Sequence, residues 1–411
     1  MYDQSINSKS LYKALRRSDF HRIFDLRDDV LRAAIIDTAV VVGNTNFWES
    51  SPMKISELRG KVVYSLPNFS DELLIRKVNN NIRHFVNIRH PARTTIVTNL
   101  SIIISEAVPY RIYRLDIKSF FESFSVAHVL KNIDDIDILS LATKRLLRDL
   151  FKHFVASGGT GIPRGLAISS TLSELMMVEF DRKIKNTKNI FFYSRYVDDI
   201  IIITSGTENQ LAFTKDIENL LPDGLKLSRK KQEITTVEKA TKTSSYQFSF
   251  EYLGYKFNVK DPGAIKTCRQ VDLAISEAKL NKIKTKVILA LQDFCKTKDM
   301  KTLIERIKFL CGNFSLTDRD RGRKRLAGIF YNYHLIQPSK PSCGLDELDR
   351  FLRHAIISGK GPIFLKFKSS TTTAERRRLA AFSFSRGFHT RSFMHYTGAK
   401  LKIIQECWKY A

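Results

Sequence analysis

The sequence predicts an α+β protein whose strands lie in its middle and whose C-terminal third is helical. Three observations carry this. β-Branched and aromatic runs sit on either side of tight turns at Phe191–Tyr196 with Ile200–Thr204, and alternation recurs over Tyr246–Phe257. Leu73, Leu74, Val78, Ile82 and Phe85 recur at helical spacing. Beyond about residue 265 the helical period takes over, with Leu303, Ile304, Ile307 and Leu310 on one face and Lys301, Glu305 and Lys308 on others. At 411 residues and 43% hydrophobic content, the chain can bury a sizeable core in two or three structural units.

Taken in order, residues 1–60 read as an N-terminal extension without a chemical motif. Ser70 is the expected N-cap of a helix reaching Phe85, with Asp71 and Glu72 in its first turn and Arg76, Lys77 and Arg83 away from the apolar stripe. The β-branched stretch Ile96–Ile104 fits a helix or a strand. Pro109 then punctuates the chain, and a strand is expected over Tyr110–Ile117. A helix around Leu139–Phe154 leads to the Gly-rich turn 157–161, after which Pro163 and Gly165 open a helix from about Ile168 to Ile184. Asp223-Gly224 reads as a turn into the basic cluster Lys226–Lys231, and Ser358–Thr373, rich in Ser, Thr, Gly and Lys, as a loop.

Charge narrows the function. The net charge is +26, from 68 Lys and Arg against 42 Asp and Glu, and the excess is spread over several separate runs. A solvated basic face is the plain reading of any one run; several together favour a surface that meets many phosphates, hence nucleic acid. The five cysteines lack C-x-x-C spacing and read as buried thiols in a reducing compartment, without a disulfide framework or structural zinc. No secretion signal is visible and no apolar run approaches the roughly 18 residues that span a bilayer, so a cytoplasmic protein without membrane partners is expected.

Tyr196-Val197-Asp198-Asp199 precedes four consecutive isoleucines, and Asp116 follows another apolar run. Carboxylates beside buried strands are costly unless a cation neutralises them. Mg²⁺ prefers hard oxygen ligands, and a pair of such ions drives nucleotidyl transfer. Asp116 and Asp198 are the candidate ligands of two Mg²⁺ ions, with Asp199 completing the negative field. An acid that merely caps a turn is the alternative for Asp199.

A strand with Asp116, a Gly/Pro turn into a helix, a strand-turn-strand with Asp198-Asp199, a basic turn and an aromatic hairpin follow one another, and in this order the chain resembles the reverse transcriptases. Leu115–Phe124 is similar to their first palm motif, and Gly161-Ile162-Pro163-Arg164-Gly165 with Ser169-Ser170 to the second. Tyr196–Asp199 is similar to the third, Gly224–Lys231 to the fourth, and Glu251–Tyr255 to the fifth, the primer grip. The likeness runs from Arg111 to Phe257. It implies a right-hand polymerase, with fingers and palm over 61–258 and a helical thumb and C-terminal region over 259–411.

The resemblance also assigns roles. Phe121 would be a gate that crowds a ribose 2′-hydroxyl and so selects dNTPs, the alternative being a core phenylalanine. Pro163, Arg164 and Gly165 would flank the templating base and incoming nucleotide, although many relatives carry Gln where Arg164 stands. Lys231, with Lys230 as competitor, would protonate pyrophosphate. Tyr252, Leu253 and Gly254 would steer the primer end, and Arg319, Arg321, Arg323, Lys324 and Arg325 would touch duplex backbone. RNase H acids, a His-rich nuclease motif and the Val-Thr-Gly thumb signature of retron enzymes are missing. Within the family the resemblance is to bacterial defence-associated reverse transcriptases, including the type 3 "a" subunit. The implied activity is RNA-directed DNA polymerase, in antiphage defence. Its partners would be an RNA template, a structured noncoding RNA, the DNA product and a second reverse transcriptase subunit. Template-independent or protein-primed DNA synthesis on the same palm is the related alternative, and a non-catalytic RNA-binding scaffold the unrelated one.

Overall fold

The computed structural model describes residues 2–45, 53–58, 60–86, 92–239, 247–261, 268–318, 323–337 and 343–409. The chain divides into two compact units, Met1–Ala92 with Pro109–Lys239, and Arg93–Val108 with Ala240–Ala411. These boundaries differ from the breaks expected at 60 and 258. The described residues of the N-terminal extension belong to the first unit, and the hairpin expected to close the palm belongs to the second.

In the first unit, β1 (Lys54–Leu58) and β2 (Lys61–Ser65) form a hairpin. A four-stranded sheet follows, built from β3 (Tyr110–Asp116), β4 (Ile190–Tyr196), β5 (Asp199–Thr204) and β6 (Glu233–Val237) in the order β4-β5-β3-β6, with every pairing antiparallel. Ile200 to Ile203 are all fully buried, so both faces of β5 are covered; that is why the run is unbroken rather than alternating. Helices Leu141–Ala156 and Ser169–Lys185 form close to their expected spans, and Leu146, Leu150, Leu172, Met177 and Phe180 join Tyr113, Leu115 and Ile202 in one core.

The helix expected from Ser70 spans Phe69–Phe85, with Asn68 in the capping position and Ser70 inside the first turn. Arg76 and Lys77 do not face solvent. Arg76 is buried against Asp19 at 2.6 Å, and Lys77 donates to the Asp3 carbonyl at 2.5 Å. The N-terminal segment thus covers a face that looks polar when this helix is read alone.

In the second unit, the ambiguous isoleucine stretch is the helix Arg93–Ile104. Strands β7 (Gln247–Tyr252), β8 (Tyr255–Lys260) and β9 (Gln270–Ile275) form an antiparallel sheet. The C-terminal region is helical but also carries strands: β10 (Asn313–Asp318), β11 (Arg323–Gly328) and β12 (Phe393–Met394) in the order β11-β10-β12. The loop expected over Ser358–Thr373 contains the helix Pro362–Ser369, with proline in its first turn, where its missing N–H costs nothing. Its Phe367 is fully buried against Phe294, 5.5 Å between ring centroids. Burial of one aromatic face outweighs the polar composition of the segment. Among the cysteines, Cys295, Cys311 and Cys343 are buried as expected, but Cys268 is exposed. No described helix is long and apolar enough to cross a membrane.

Candidate active site

The three candidate acids meet at one end of the four-stranded sheet. Asp116 closes β3 and Asp199 opens β5, and the two are direct partners in the antiparallel register. Asp198 occupies the two-residue turn between β4 and β5, and its carbonyl accepts the Ile117 N–H at 3.2 Å. Because β3 and β5 are the two central strands, the acids sit on the most constrained backbone the sheet offers. Val197, the first turn residue, has φ +61°, a left-handed conformation that costs a β-branched residue on the order of 1–2 kcal/mol.

The fourth motif is stitched onto the end of β3. Ile117 pairs with Leu227, the Lys118 N–H donates to the Lys226 carbonyl at 2.9 Å, and the Ser228 N–H donates to the Asp116 carbonyl at 2.7 Å. A short 3-10 turn, Arg229–Lys231, then brings the Lys231 Nζ to 2.8 Å from the Asp116 carboxylate. Lys231 and not Lys230 makes this contact, although both line the adjoining cleft of about 380 Å³ with Arg114, Asp116, Asp199 and Glu233.

Electrostatics follow from the crowding. Burial raises the pKa of Asp199 to about 6, and the charges of Asp198 and Asp116 add to the rise. Asp198 is raised for the same reasons, burial first, with Lys231 and Arg164 opposing. Lys231 is raised by its bond to Asp116. Burial and neighbouring acids disfavour the charged forms of Asp198 and Asp199, a cost that a divalent cation would relieve, and with Asp116 these hard oxygen donors fit one chemically. Among the described residues, however, no three His, Cys, Asp or Glu side chains close around a single point, and the Lys231 ammonium sits on Asp116. The expected ligand set is assembled on adjacent strands without being drawn into a cage.

The second motif lies against the first. The Ile162 N–H donates to the Phe121 carbonyl at 2.7 Å, and Gly161 makes this approach possible: at φ +73° a Cβ would stand 2.2 Å from that oxygen. Phe121 is half-buried, packed partly on the core beside the buried Phe120, and the Arg164 guanidinium lies 4.9 Å from its ring centroid. Arg164 also forks onto Glu122 at 2.9 and 3.2 Å. Burial alone would raise the Glu122 pKa, but the Arg164 bonds take it below the ordinary value. Pro163 is buried, and its carbonyl accepts the Ser169 hydroxyl. Gly165, at φ +108°, approaches the Tyr64 backbone, and the Arg164 carbonyl accepts the Tyr64 N–H at 2.7 Å.

The fifth motif belongs to the second unit. Its turn has Leu253 at φ +48° and Gly254 at φ +78°, the pair of left-handed residues that a tight β7–β8 hairpin requires. Tyr252 and Tyr255 are both buried. Arg93 donates to the Leu253 carbonyl at 2.6 Å and lies 4.7 Å from the Tyr255 ring centroid. Of the residues expected to touch duplex, Arg319 and Arg321 lie outside the described residues, Arg323 and Lys324 fall in β11, and Arg325, also in β11, is exposed. Arg323, Lys324 and Arg325 thus sit on a hairpin strand rather than a helix.

Sequence reasoning passed over Arg93, Glu122 and a buried group behind the acidic turn. Arg195 on β4 contacts Glu174 and Asp181 from the helix Ser169–Lys185. Burial, then the charge of Asp181, raises the pKa of the neighbouring Tyr193. The signal was present: two acids seven residues apart share a helix face, and a lone arginine interrupts an aromatic strand.

No curated protein matches the sequence. Among solved structures, the chain is similar to apo telomerase from Candida Tropicalis truncated from its C-terminal domain, at TM-score 0.32 and 13% identity, covering 54% of this chain and 56% of that one. It is also similar to telomerase from Candida albicans in complex with a TWJ fragment of telomeric RNA, at TM-score 0.35 and 10% identity, covering 87% of this chain and 64% of that one. The chain thus spans 56–64% of the length of those telomerase chains. Residues 60–257 match the family model described as reverse transcriptase (RNA-dependent DNA polymerase). That segment, which holds the facing aspartates, is a reverse transcriptase family domain, and the α+β architecture is that of a right-hand polymerase.

Proposed function

We propose that the chain is an RNA-directed DNA polymerase. The observation that carries this reading is the register itself: Asp116 faces Asp199 on the two central strands, with Asp198 in the adjoining turn. Asp116, Asp198 and Asp199 would hold two Mg²⁺ ions. Held by these carboxylates, the ions would make a primer 3′-hydroxyl more acidic and would offset the charge of the triphosphate and departing pyrophosphate. Lys231, with its ammonium already at the cleft, donates a proton to the pyrophosphate. Phe121, backed by Arg164, crowds the sugar 2′ position and selects dNTPs; Phe121→Ala should raise ribonucleotide incorporation about tenfold or more, as read by dNTP/NTP competition. Pro163, Arg164 and Gly165 shape the template side, Tyr252, Leu253 and Gly254 the primer side, and Arg323, Lys324 and Arg325 the duplex backbone.

The finer setting rests on the sequence resemblance to defence-associated enzymes. In that setting the chain acts in the cytoplasm with a structured noncoding RNA and a second reverse transcriptase subunit, against phage. The test is incorporation of dTMP on poly(rA)·oligo(dT) by the purified full chain, together with sequencing of DNA made from its co-purified RNA. Asp198→Ala should lower incorporation by about 10²–10³-fold. DNA unrelated to the RNA would favour template-independent or protein-primed synthesis. A wild-type chain that makes no DNA under any divalent metal overturns the reading and leaves a scaffold role.

A further inference from the structure

We infer that Arg195 is a positioning residue that sets the acidic turn, a conclusion that rests on the polymerase reading of the same site. The turn has a difficulty built into it. Asp198 is placed by a hairpin whose first turn residue, Val197, is β-branched and left-handed at φ +61°. Such a residue persists only where its surroundings over-determine it.

Arg195 supplies that constraint. Its side chain is 3% exposed, and all five of its N–H donors have acceptors. Nε donates to one Asp181 oxygen at 2.9 Å and Nη2 to the other, also at 2.9 Å. Nη1 and Nη2 donate to the two Glu174 oxygens at 3.0 and 2.6 Å. The last donor, on Nη1, goes to the carbonyl of Val197 at 2.9 Å. Two carboxylates on one helix therefore fix the guanidinium plane, and the plane fixes the carbonyl of the strained residue next to Asp198. A planar fork with five donors can do this; an ammonium with three cannot serve two carboxylates bidentately and a carbonyl as well. A simple buried ion pair would need only the acids. The bond to Val197 makes the network a brace for the turn.

Removing Arg195 alone strands the buried Glu174 and the half-buried Asp181 and invites unfolding. The informative variant is charge-balanced: Glu174→Gln, Asp181→Asn and Arg195→Met together, in the full chain, with folding checked by circular dichroism. On poly(rA)·oligo(dT), kcat should fall about 10²-fold with the KM for dTTP within a few-fold, because a reacting group has been misplaced and not a binding surface. Amide exchange of the segment 190–204 should speed up. In a Val197→Asn background, where the left-handed conformation is tolerated, removing Arg195 should cost only about tenfold or less. A folded triple variant with wild-type kcat, or the same loss with and without Val197→Asn, overturns the proposal. If the triple variant melts below assay temperature, Arg195→Lys, which keeps the buried charge, carries the comparison; exchange of 190–204 equal to the wild type then overturns it. A wild-type chain that incorporates no dTMP sinks the polymerase reading alone, and the exchange comparison decides this one.

Discussion

Two tight hairpin turns, one in each unit, meet the same problem by different means. Tyr196-Val197-Asp198-Asp199 and Tyr252-Leu253-Gly254-Tyr255 each join two strands through two residues, and in each an arginine donates to the carbonyl of a left-handed non-glycine residue. The second turn uses glycine for half of its left-handed geometry and seats Arg93 over Tyr255 and Tyr333. The first has no glycine, puts a β-branched residue where one would be most comfortable, and surrounds its arginine with two carboxylates. A turn that carries no acid can take the easy residue. A turn that must hold an acid opposite another acid accepts local strain and an ion network to support it.

The comparison can be broken at either arginine. Arg93→Ala should cost about 2–3 kcal/mol, because it removes charged hydrogen bonds to the Leu253 and Asn332 carbonyls and two ring contacts. Urea unfolding checks this; a loss near zero would mean that the second turn stands without its clamp. Exchanging the residue types sharpens the contrast. Gly254→Val should destabilise by about 2 kcal/mol, since φ is +78° and a Cβ would lie 3.2 Å from both Arg93 and Lys279. Val197→Gly should stay within about 1 kcal/mol of the wild type, with relief of strain offsetting lost packing and added chain entropy. Equal costs for the two exchanges would erase the difference between the turns.

The smallest effect concerns pH. The folded-state pKa of Asp199 is raised to about 6, so the folded chain binds this proton more tightly than the unfolded chain does. The resulting penalty is absent where both states are protonated, below the ordinary carboxylate range. It grows as pH rises and is complete above about 6. In EDTA, Asp199→Asn should therefore raise the melting temperature by a few degrees at pH 8 and by less at pH 5. A gain that is larger at pH 5 would reverse the assigned sign.

The acids were legible because their geometry is local. An antiparallel register between two apolar runs ending in aspartate needs little beyond the runs themselves, and Asp116, Asp198 and Asp199 came together as the motif order implied. The braces were not legible in the same way. Arg195 draws on acids 14 and 21 residues away on a helix, and Arg93 reaches a carbonyl 160 residues distant. The burial of Arg76 and Lys77 is hidden for a related reason: the N-terminal segment that covers them contributes no pattern to their own helix. The helix Pro362–Ser369 was hidden by composition, since Ser, Thr, Gly and Lys counted against it while one buried phenylalanine held it in place.

The segment that carries Lys231 is fastened to the end of β3, at Asp116, Ile117 and Lys118, through main-chain atoms from Lys226 to Ser228. Amides and carbonyls make the same bonds whatever side chains hang from them. The cations at positions 226, 229 and 230 can therefore be exchanged one by one, retuning the cleft's attraction for a polyanion, while the ammonium beside Asp116 keeps its address.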